Sequence, residues 1–164
     1  MAKRSAGILP VRLVDGAPEV MLVHPGGPFF RKKDLGAWSV VKGLLEEGEE
    51  PLAAAQRELV EETGFTLPDG PYVHLGQVVQ KGGKRVDAFA VAADFDAEAL
   101  VSETFELEWP PRSGRVQRFP EVDRAAWLGP EAARAKILEA QRPFVERACD
   151  PETLAALGLQ RKKR

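Results

Sequence analysis

The stretch GLLEEGEEPLAAAQRELVEETGF, residues 43–65, contains one predicted helix around which the rest of the chain can be arranged. We expect the helix to span Pro51 to Thr63, because proline suits the first turn of a helix and Gly64 suits the position just after its end. One face of this helix is apolar and should pack on a sheet. That face consists of Leu52, Ala55, Leu59 and Thr63.

Three glutamates occupy another face of the same helix. Glu58, Glu61 and Glu62 stand at positions i, i+3 and i+4, so their carboxylates lie side by side. Like charges at these spacings cost about 0.2–0.5 kcal/mol per pair, and carboxylates near a helix C-terminus also oppose the helix dipole. A sequence selected only for stability would avoid this arrangement. The glutamate face therefore predicts a site for a positively charged group.

Three carboxylates on one helix face make an oxygen-rich site that suits a hard divalent cation. Mg²⁺ prefers oxygen ligands, keeps several waters and often bridges to the phosphates of a substrate. Arg57 lies next to Glu58 and one helical turn before Glu61, so its guanidinium could fix the orientation of these carboxylates. By contrast, we expect three further glutamates to be ordinary exposed residues. These are Glu46, Glu47 and Glu50.

The composition favours a soluble globular domain. The chain has 164 residues, of which 44% are hydrophobic and 29% charged, and its formal net charge is −2. This charge does not point to nucleic acid or to an anionic membrane, and no segment approaches the roughly 20 apolar residues that span a bilayer. Cys149 is the single cysteine, so no intrachain disulfide can form. With no signal-like pattern at the start, we expect a cytoplasmic protein.

Strand patterns lie on both sides of residues 43–65. Residues 5–14 and 19–24 predict a hairpin, in which Pro10 is typical of an edge strand or a bulge. The other predicted strands are 37–41, 72–80, 85–94, 116–119 and 125–128. Loops are expected at 25–36 and 95–115, and helices at 129–140 and at 142–158 with a break near Pro151. This mixture predicts an α/β sandwich with a mixed sheet.

Taken with its spacing, the stretch resembles the signature of the Nudix hydrolases. Gly43 is followed after five residues by Glu49, and after seven more by Arg57-Glu58-Leu59. One residue then separates these from Glu61-Glu62, and one more from Gly64-Phe65. The resemblance holds at every fixed position of the signature. It implies the family's α/β/α sandwich, here as a single domain over residues 1–164 with a short basic tail at 160–164.

The resemblance also implies roles for these residues. In the family, the equivalents of Glu58, Glu61 and Glu62 are the main metal ligands, and the first is sometimes linked to base catalysis. The equivalent of Arg57 orients a glutamate, and the region of Gly43 can supply a backbone carbonyl ligand. The equivalent of Glu49 supports the loop or the metal site. The implied cofactor is Mg²⁺, which Mn²⁺ can replace.

Many members of the family use a further acidic residue after the signature as metal ligand or general base. Glu121 is our choice, because it precedes Trp127 by six residues in PEVDRAAWL. This segment resembles the family's acidic loop followed by a short strand with a tryptophan. A carboxylate there could deprotonate the attacking water. The alternatives are Glu58, Glu103, Glu106 and Glu108.

Basic residues outside the signature are candidates for binding substrate phosphate. Lys42 directly precedes the signature, and relatives with the sequence Pro-Lys-Gly can use that lysine; here Val41 replaces the proline. Two further groups either face phosphate or are solvated loops. They are Arg31, Lys32 and Lys33, and Arg112 and Arg115. Trp109 is the best candidate for stacking on a base, whereas His24 and His74 are expected to be structural.

The resemblance implies hydrolysis of a phosphoanhydride in a nucleoside diphosphate linked to another group, with water attacking phosphorus and no protein nucleophile. SAGILPVR, the Lys-Gly pair and EVDRAAWL look similar to the dinucleoside tetraphosphate hydrolase branch. Alternatives are a pyrophosphohydrolase that removes oxidised nucleoside triphosphates, or hydrolysis of diphosphoinositol phosphates, sugar nucleotides or capped RNA ends. Other classes are a non-catalytic nucleotide-binding regulator and an RNA-binding or scaffold protein.

These implications also set the expected partners. The substrate is a small nucleotide or another diphosphate. We expect no stable nucleic acid partner and no membrane association. The chain would be a monomer or a homodimer.

Overall fold

The computed structural model describes residues 3–159, so the predicted basic tail at 160–164 lies outside the described residues. The strands in this range are β1 (Arg4–Val14), β2 (Ala17–Pro25), β3 (Val41–Leu44), β4 (Tyr72–Val79), β5 (Arg85–Ala92), β6 (Thr104–Glu108), β7 (Val116–Pro120) and β8 (Val122–Leu128). The α-helices are α1 (Pro51–Thr63), α2 (Pro130–Lys136), α3 (Arg142–Ala148) and α4 (Pro151–Ala156). Short 3₁₀ turns lie at Lys81–Gly83, Ala97–Ala99 and Glu139–Gln141.

The main sheet has the order β4-β5-β1-β2-β8, and β3 pairs with β1 beside this path. β1 and β5 are parallel, whereas the other pairs are antiparallel, so the sheet is mixed. α1 packs on one face of the sheet, against β1 and β3, while α2 and α3 pack on the other. The predicted α/β/α sandwich with a mixed sheet is confirmed.

Helix α1 has the predicted bounds. Its apolar face is anchored by Ala55 and Leu59, both fully buried, while Leu52 stays partly exposed at the first turn. The helix ends at Gly64, whose φ of 72° is in the left-handed region and whose N–H donates to the Val60 carbonyl. Glycine adopts this conformation without the steric cost that a side chain would bring.

The position of Pro10 differs from the prediction. β1 is an inner strand rather than an edge strand, and it pairs with β5 along Arg4–Val11. On its other side, residues 5–8 pair with β3 and residues 11–14 pair with β2. Pro10 falls in the gap between these two partners. A residue without an N–H is tolerated inside the sheet here because no ladder hydrogen bond is lost on that side.

The predicted irregular loop at 95–115 is wrong in part. Residues 104–108 form β6, which pairs antiparallel with β7 in a separate two-stranded sheet. The hairpin formed by β6 and β7 leads directly into β8, with only Glu121 between them. This arrangement brings the acidic residue chosen from the sequence to the base of the hairpin.

The C-terminal part follows the prediction, since α3 and α4 are separated at Cys149-Asp150 before Pro151. Among the described residues, no helix is both long enough and apolar enough to cross a membrane.

Candidate metal and phosphate site

The central contact of the site joins Gly43 on β3 to Glu58 on α1. A Cβ atom built at position 43 would lie only 2.0 Å from the Glu58 carboxyl carbon, so glycine is required for the strand and the carboxylate to approach. The packing of α1 on β3 leaves Glu58 only 8% exposed. Burial raises the pKa of Glu58, an effect that Arg57 partly offsets. A buried carboxylate thus lies directly against the backbone that opens the signature.

Arg57 organises the carboxylates around it. Its Nη1 donates to Glu58 at 2.9 Å and to Glu61 at 3.1 Å. Its Nε and Nη2 donate to the two oxygens of Glu49, each at 2.9 Å, and Nη2 also donates to the Leu44 carbonyl at 3.1 Å. One planar guanidinium therefore fixes two carboxylates of α1 and closes the loop between β3 and α1.

Glu49 is the strongest partner of this arginine. Hydrogen bonds from Arg57 and then from the Glu46 N–H lower the pKa of Glu49 to about 2, so it stays ionised near neutral pH. The same contacts raise the pKa of Arg57 above its usual value. Glu46, Glu47 and Glu50 are exposed, as predicted.

A cavity of about 580 Å³ opens beside this network. Four glutamates line it: Glu58 and Glu62 from α1, Glu121 from the base of the β6–β7 hairpin, and the exposed Glu46 from the loop between β3 and α1. Burial and then the charges of Glu121 and Glu58 raise the pKa of Glu62 to about 8. The carboxylates are therefore close enough to repel one another strongly. Glu61 does not line the cavity; its side chain is 34% exposed and is bound to Arg57.

The backbone at Glu121 is tied to the helix through Glu103. The Glu121 N–H donates to the Glu103 carbonyl at 2.8 Å, and the Glu103 N–H donates to the Glu61 carbonyl at 3.1 Å. The Glu121 carbonyl accepts from the Gly26 N–H at 3.0 Å. Burial of its carboxyl and the charge of Glu103 raise the pKa of Glu121. Glu103, only one of several candidates in the sequence, thus connects the predicted base to the glutamate face.

The other two candidates for the base lie elsewhere on the hairpin. Glu106 forms an exposed ion pair with Arg118 at 3.5 Å, and Glu108 accepts from the Arg112 N–H at 2.9 Å. Neither side chain lines the cavity.

The donor chemistry of the cavity fits a divalent cation. Carboxylate oxygens converge on it from two elements, and their mutual repulsion would be relieved by a positive charge. Among residues 3–159, no three acidic, histidine or cysteine side chains already surround one point in the manner that holds a metal ion.

Lys42 lines the same cavity, one residue before Gly43. Burial, followed by the charge of Lys84, lowers the pKa of Lys42. Lys84 lies in the turn between β4 and β5, and sequence reasoning did not select it.

The remaining predicted phosphate-binding cations do not line the cavity. Arg31 and Lys33 lie in the loop 25–36, whereas Arg112 and Arg115 lie at the tip of the β6–β7 hairpin. None of these four side chains reaches the cavity wall. The loop 25–36 begins at Pro25, and the hairpin ends next to Glu121; both of these residues line the cavity. The loop and the hairpin also contact each other through Phe29, which packs edge-on against Trp109 with ring centroids 5.2 Å apart.

His24 is structural, as predicted, and it joins the loop 25–36 to β8. It is fully buried, with Nδ1 at 2.8 Å from an Asp123 oxygen and Nε2 at 2.6 Å from the Lys33 carbonyl oxygen. His74 on β4 is likewise structural, since its Nε2 lies 3.0 Å from a carboxylate oxygen of Asp87 on β5. The end of the loop is therefore fixed to β8 beside Glu121.

Known proteins similar to this chain share its fold and parts of its sequence. It is 31% identical over 125 residues to an 8-oxo-(d)GTP phosphatase of Mycolicibacterium smegmatis, a match that covers 71% of this chain and 33% of that protein. It is 26% identical over 136 residues to an RNA pyrophosphohydrolase of Dinoroseobacter shibae, covering 71% and 75%. The chain spans a third or less of the length of two of its curated relatives.

A solved structure has the same architecture. The Ap4A hydrolase of C. elegans, in a binary complex, superposes with a TM-score of 0.60 at 21% identity, over 87% of this chain and 93% of that one. Comparison with protein families matches residues 1–148 to the NUDIX domain. With the signature intact at residues 43–65, the chain belongs to the NUDIX domain family.

Proposed function

We propose that this chain is a divalent-metal-dependent hydrolase of phosphoanhydride bonds in nucleoside diphosphates linked to another moiety. The observation that carries the proposal is the cavity in which Glu58, Glu62 and Glu121 face one another beside Lys42. Such a set of oxygen ligands with an adjacent cation suits a metal-bound diphosphate. The chain forms a single domain of this kind over residues 1–164.

The residues that would hold Mg²⁺, or Mn²⁺ in its place, are Glu58, Glu61, Glu62 and the Gly43 carbonyl. A bound divalent ion would neutralise the diphosphate and lower the pKa of water. Glu61 joins this set because Arg57 holds it together with Glu58.

The chain's own groups account for the remaining steps. Arg57 orients Glu58 and Glu61 through its hydrogen bonds to both, and Glu121 accepts a proton from the water that attacks phosphorus. Lys42 donates hydrogen bonds to a phosphate oxygen at the cavity wall. No protein side chain acts as nucleophile, so positioning and charge neutralisation supply most of the rate gain.

For the substrate, our specific proposal is a dinucleoside polyphosphate such as diadenosine tetraphosphate. A linear substrate with two nucleosides needs a second binding region outside the cavity. The loop 25–36 and the β6–β7 hairpin offer one, with an aromatic pair, Phe29 and Trp109, and the cations Arg31, Lys33, Arg112 and Arg115.

A second candidate is the hydrolysis of oxidised nucleoside triphosphates. It is favoured by the identity of 31% over 125 residues to a relative named 8-oxo-(d)GTP phosphatase. RNA ends, sugar nucleotides and diphosphoinositol phosphates are further candidates for the same site, because the signature binds the diphosphate rather than its attached groups. A nucleotide-binding regulator without activity is the alternative from another class. The partner we propose is a small nucleotide or another diphosphate, and a cytoplasmic location remains our expectation.

The test is a panel of substrates incubated with the protein and Mg²⁺, with phosphate-containing products identified. The panel contains dinucleoside polyphosphates, nucleoside triphosphates, oxidised purine nucleotides, sugar nucleotides, diphosphoinositol phosphates and RNA with a 5′-triphosphate. Glu61→Gln and Glu62→Gln run beside the unchanged protein, with Glu47→Gln as a matched exposed control.

We expect metal-dependent cleavage of one class, lost by orders of magnitude in the Glu61 and Glu62 variants and kept in Glu47→Gln. Near-normal activity in both variants would overturn the site assignment. Nucleotide binding without cleavage of any class would favour the regulator. Salt-sensitive RNA binding that needs no metal would instead indicate an RNA-binding protein.

A further inference from the structure

We propose that Gln141 is a positioning residue that sets the location of Lys42 at the wall of the cavity. This inference rests on the proposed function, in which Lys42 binds substrate phosphate. Gln141 ends the 3₁₀ turn Glu139–Gln141 on the far face of the sheet and is fully buried. Its side chain is among the few buried polar groups of the described residues.

The amide of Gln141 is hydrogen-bonded at both ends. Its Oε1 accepts from the Val40 N–H at 3.0 Å and is 3.2 Å from the Ser39 hydroxyl. Its Nε2 donates to the Ser39 oxygen at 3.0 Å and to the Gln80 side-chain oxygen at 2.7 Å. A buried amide is costly unless its polar atoms are all paired, so these contacts define one orientation of the side chain.

The Val40 N–H needs this partner because of where it lies in the sheet. Ser39 exchanges two backbone hydrogen bonds with Val23 of β2, at 2.9 and 3.0 Å. From Val41 onward the chain instead pairs with β1. Val40 lies between these two pairings and is only 1% exposed. Gln141 thus supplies the acceptor that no neighbouring strand offers, at the point where the chain turns toward Lys42.

This junction borders the cavity. Ser39 and Val40 both line it, and Lys42 follows two residues after Val40. The position that carries proline in relatives with a Pro-Lys-Gly sequence is Val41 here, so the chain lacks the fixed φ angle of proline before the lysine. The hydrogen bond from Val40 to Gln141 restrains the same piece of backbone by a different means.

The Nε2 atom of Gln141 contacts Gln80, which lies in a second segment that carries a lysine. Gln80 follows β4, and its N–H donates to the Lys84 carbonyl at 2.7 Å, closing the turn before β5. Gln141 therefore connects the backbone that leads to Lys42 with the turn that carries Lys84. Loss of its Nε2 donor should loosen this connection.

The test separates positioning from mere stability by using Gln80. Gln80→Glu keeps an oxygen that accepts from Gln141 Nε2, whereas Gln80→Leu removes it. Gln141→Leu removes every contact at once. Leu157→Ala truncates a buried residue in the apolar cluster that contains Val40, and it serves as a control for lost stability. Each variant is assayed for kcat and KM with Mg²⁺ and diadenosine tetraphosphate, or with the panel substrate that the unchanged protein cleaves.

We expect KM to rise about tenfold in Gln141→Leu and Gln80→Leu, with a much smaller change in kcat, because a displaced Lys42 would lose part of a charged hydrogen bond to the substrate phosphate. Gln80→Glu should retain the original KM. In a Lys42→Met background, Gln141→Leu should add little to KM, because both changes act on the same contact. An unchanged KM in Gln80→Leu, together with stability losses like those of Leu157→Ala, would overturn the proposal.

Hydrogen exchange of the Val40 amide gives a readout that does not depend on activity. Protection of this amide in the unchanged protein, and its loss in Gln141→Leu or its weakening in Gln80→Leu, is expected. If the protein cleaves nothing on the panel, the proposed function fails while the exchange result stands. If cleavage occurs but the Val40 amide exchanges at the same rate in all variants, the positioning role fails alone.

Discussion

At the scale of single residues, the site depends on the close approach of Gly43 to Glu58, which any side chain at position 43 would prevent. Gly43 has no side chain, and the Glu58 carboxyl lies where its Cβ would be. We predict that Gly43→Ala moves Glu58 and weakens binding of Mn²⁺ or Mg²⁺ about 10–100-fold, measured by calorimetry. Gly129→Ala is the control, because a Cβ there would meet nothing within 4 Å. Equal metal affinity in both variants would contradict the assigned geometry.

The choice of general base also concerns a single residue. Glu121 lines the cavity, whereas Glu108 is held by the Arg112 N–H on the hairpin. We predict that Glu121→Gln lowers kcat by a factor of about 10²–10⁴ with little change in KM, because the water loses its proton acceptor. Glu108→Gln should keep kcat. If Glu108→Gln gives the large loss instead, the base is on β6 and the assignment of Glu121 is wrong.

The sequence predicted residues that act on near neighbours and missed those that act across the fold. The contacts of Arg57 with Glu58 and Glu61 follow from helical spacing alone. Gln141 meets Val40 from 101 positions away, so no local pattern could have indicated it. Glu103 was one candidate among several, because the backbone hydrogen bonds that link it to Glu61 and Glu121 carry no sequence signal.

At the scale of elements, α1 and the strand at 116–119 were predicted, whereas β6 and its pairing with β7 were not. The helix has a start signal in Pro51, an end signal in Gly64 and a regular apolar face. The five-residue strands of the hairpin pair only with each other and remain largely exposed. Their sequences therefore show little of the apolar pattern that marks a strand packed on a core. The position of Pro10 was misjudged for a related reason, since a change of partner along β1 leaves no local trace.

The hairpin and the loop 25–36 should determine which group beyond the diphosphate is accepted. Trp109 joins the two elements through Phe29. We predict that Trp109→Ala weakens binding of diadenosine tetraphosphate by about 0.5–1.5 kcal/mol, the usual contribution of an aromatic pair, and leaves binding of ATP unchanged. Val116→Ala, an exposed change on the same hairpin, is the control. Equal losses for the two nucleotides would place the tryptophan at a subsite common to both.

At the scale of the whole molecule, the central strand β1 joins the site to the rest of the sheet. It holds β3 on one side, and with it Lys42 and Gly43, and β5 on the other. Asp87 of β5 pairs in register with Ala6, which in turn lies opposite Gly43. Its carboxyl is nearly buried and accepts from Gln77 at 3.0 Å, His74 at 3.0 Å and Arg4 at 3.3 Å. These three donors link β4 and β1 to β5 through the Asp87 carboxyl.

This carboxyl gives the fold a defined dependence on pH. Burial alone would raise the pKa of Asp87, but the hydrogen bonds from Gln77, His74 and Arg4 outweigh burial and hold it below the ordinary value of 3.8. A carboxyl with a lower pKa in the folded state contributes stability above its unfolded pKa. That contribution disappears as the pH falls through the folded pKa, because the proton then binds both states equally.

We therefore predict that Asp87→Asn unfolds more easily than the unchanged protein near neutral pH, and that the difference shrinks as the pH falls below about 4. Urea denaturation at a series of pH values measures both free energies of unfolding. Asp69→Asn, at an exposed position, should show no such pH-dependent difference. A gap between Asp87→Asn and the unchanged protein that stays constant down to acidic pH would mean that the carboxylate's charge contributes nothing, and that the side chain acts only through its shape and its neutral hydrogen bonds.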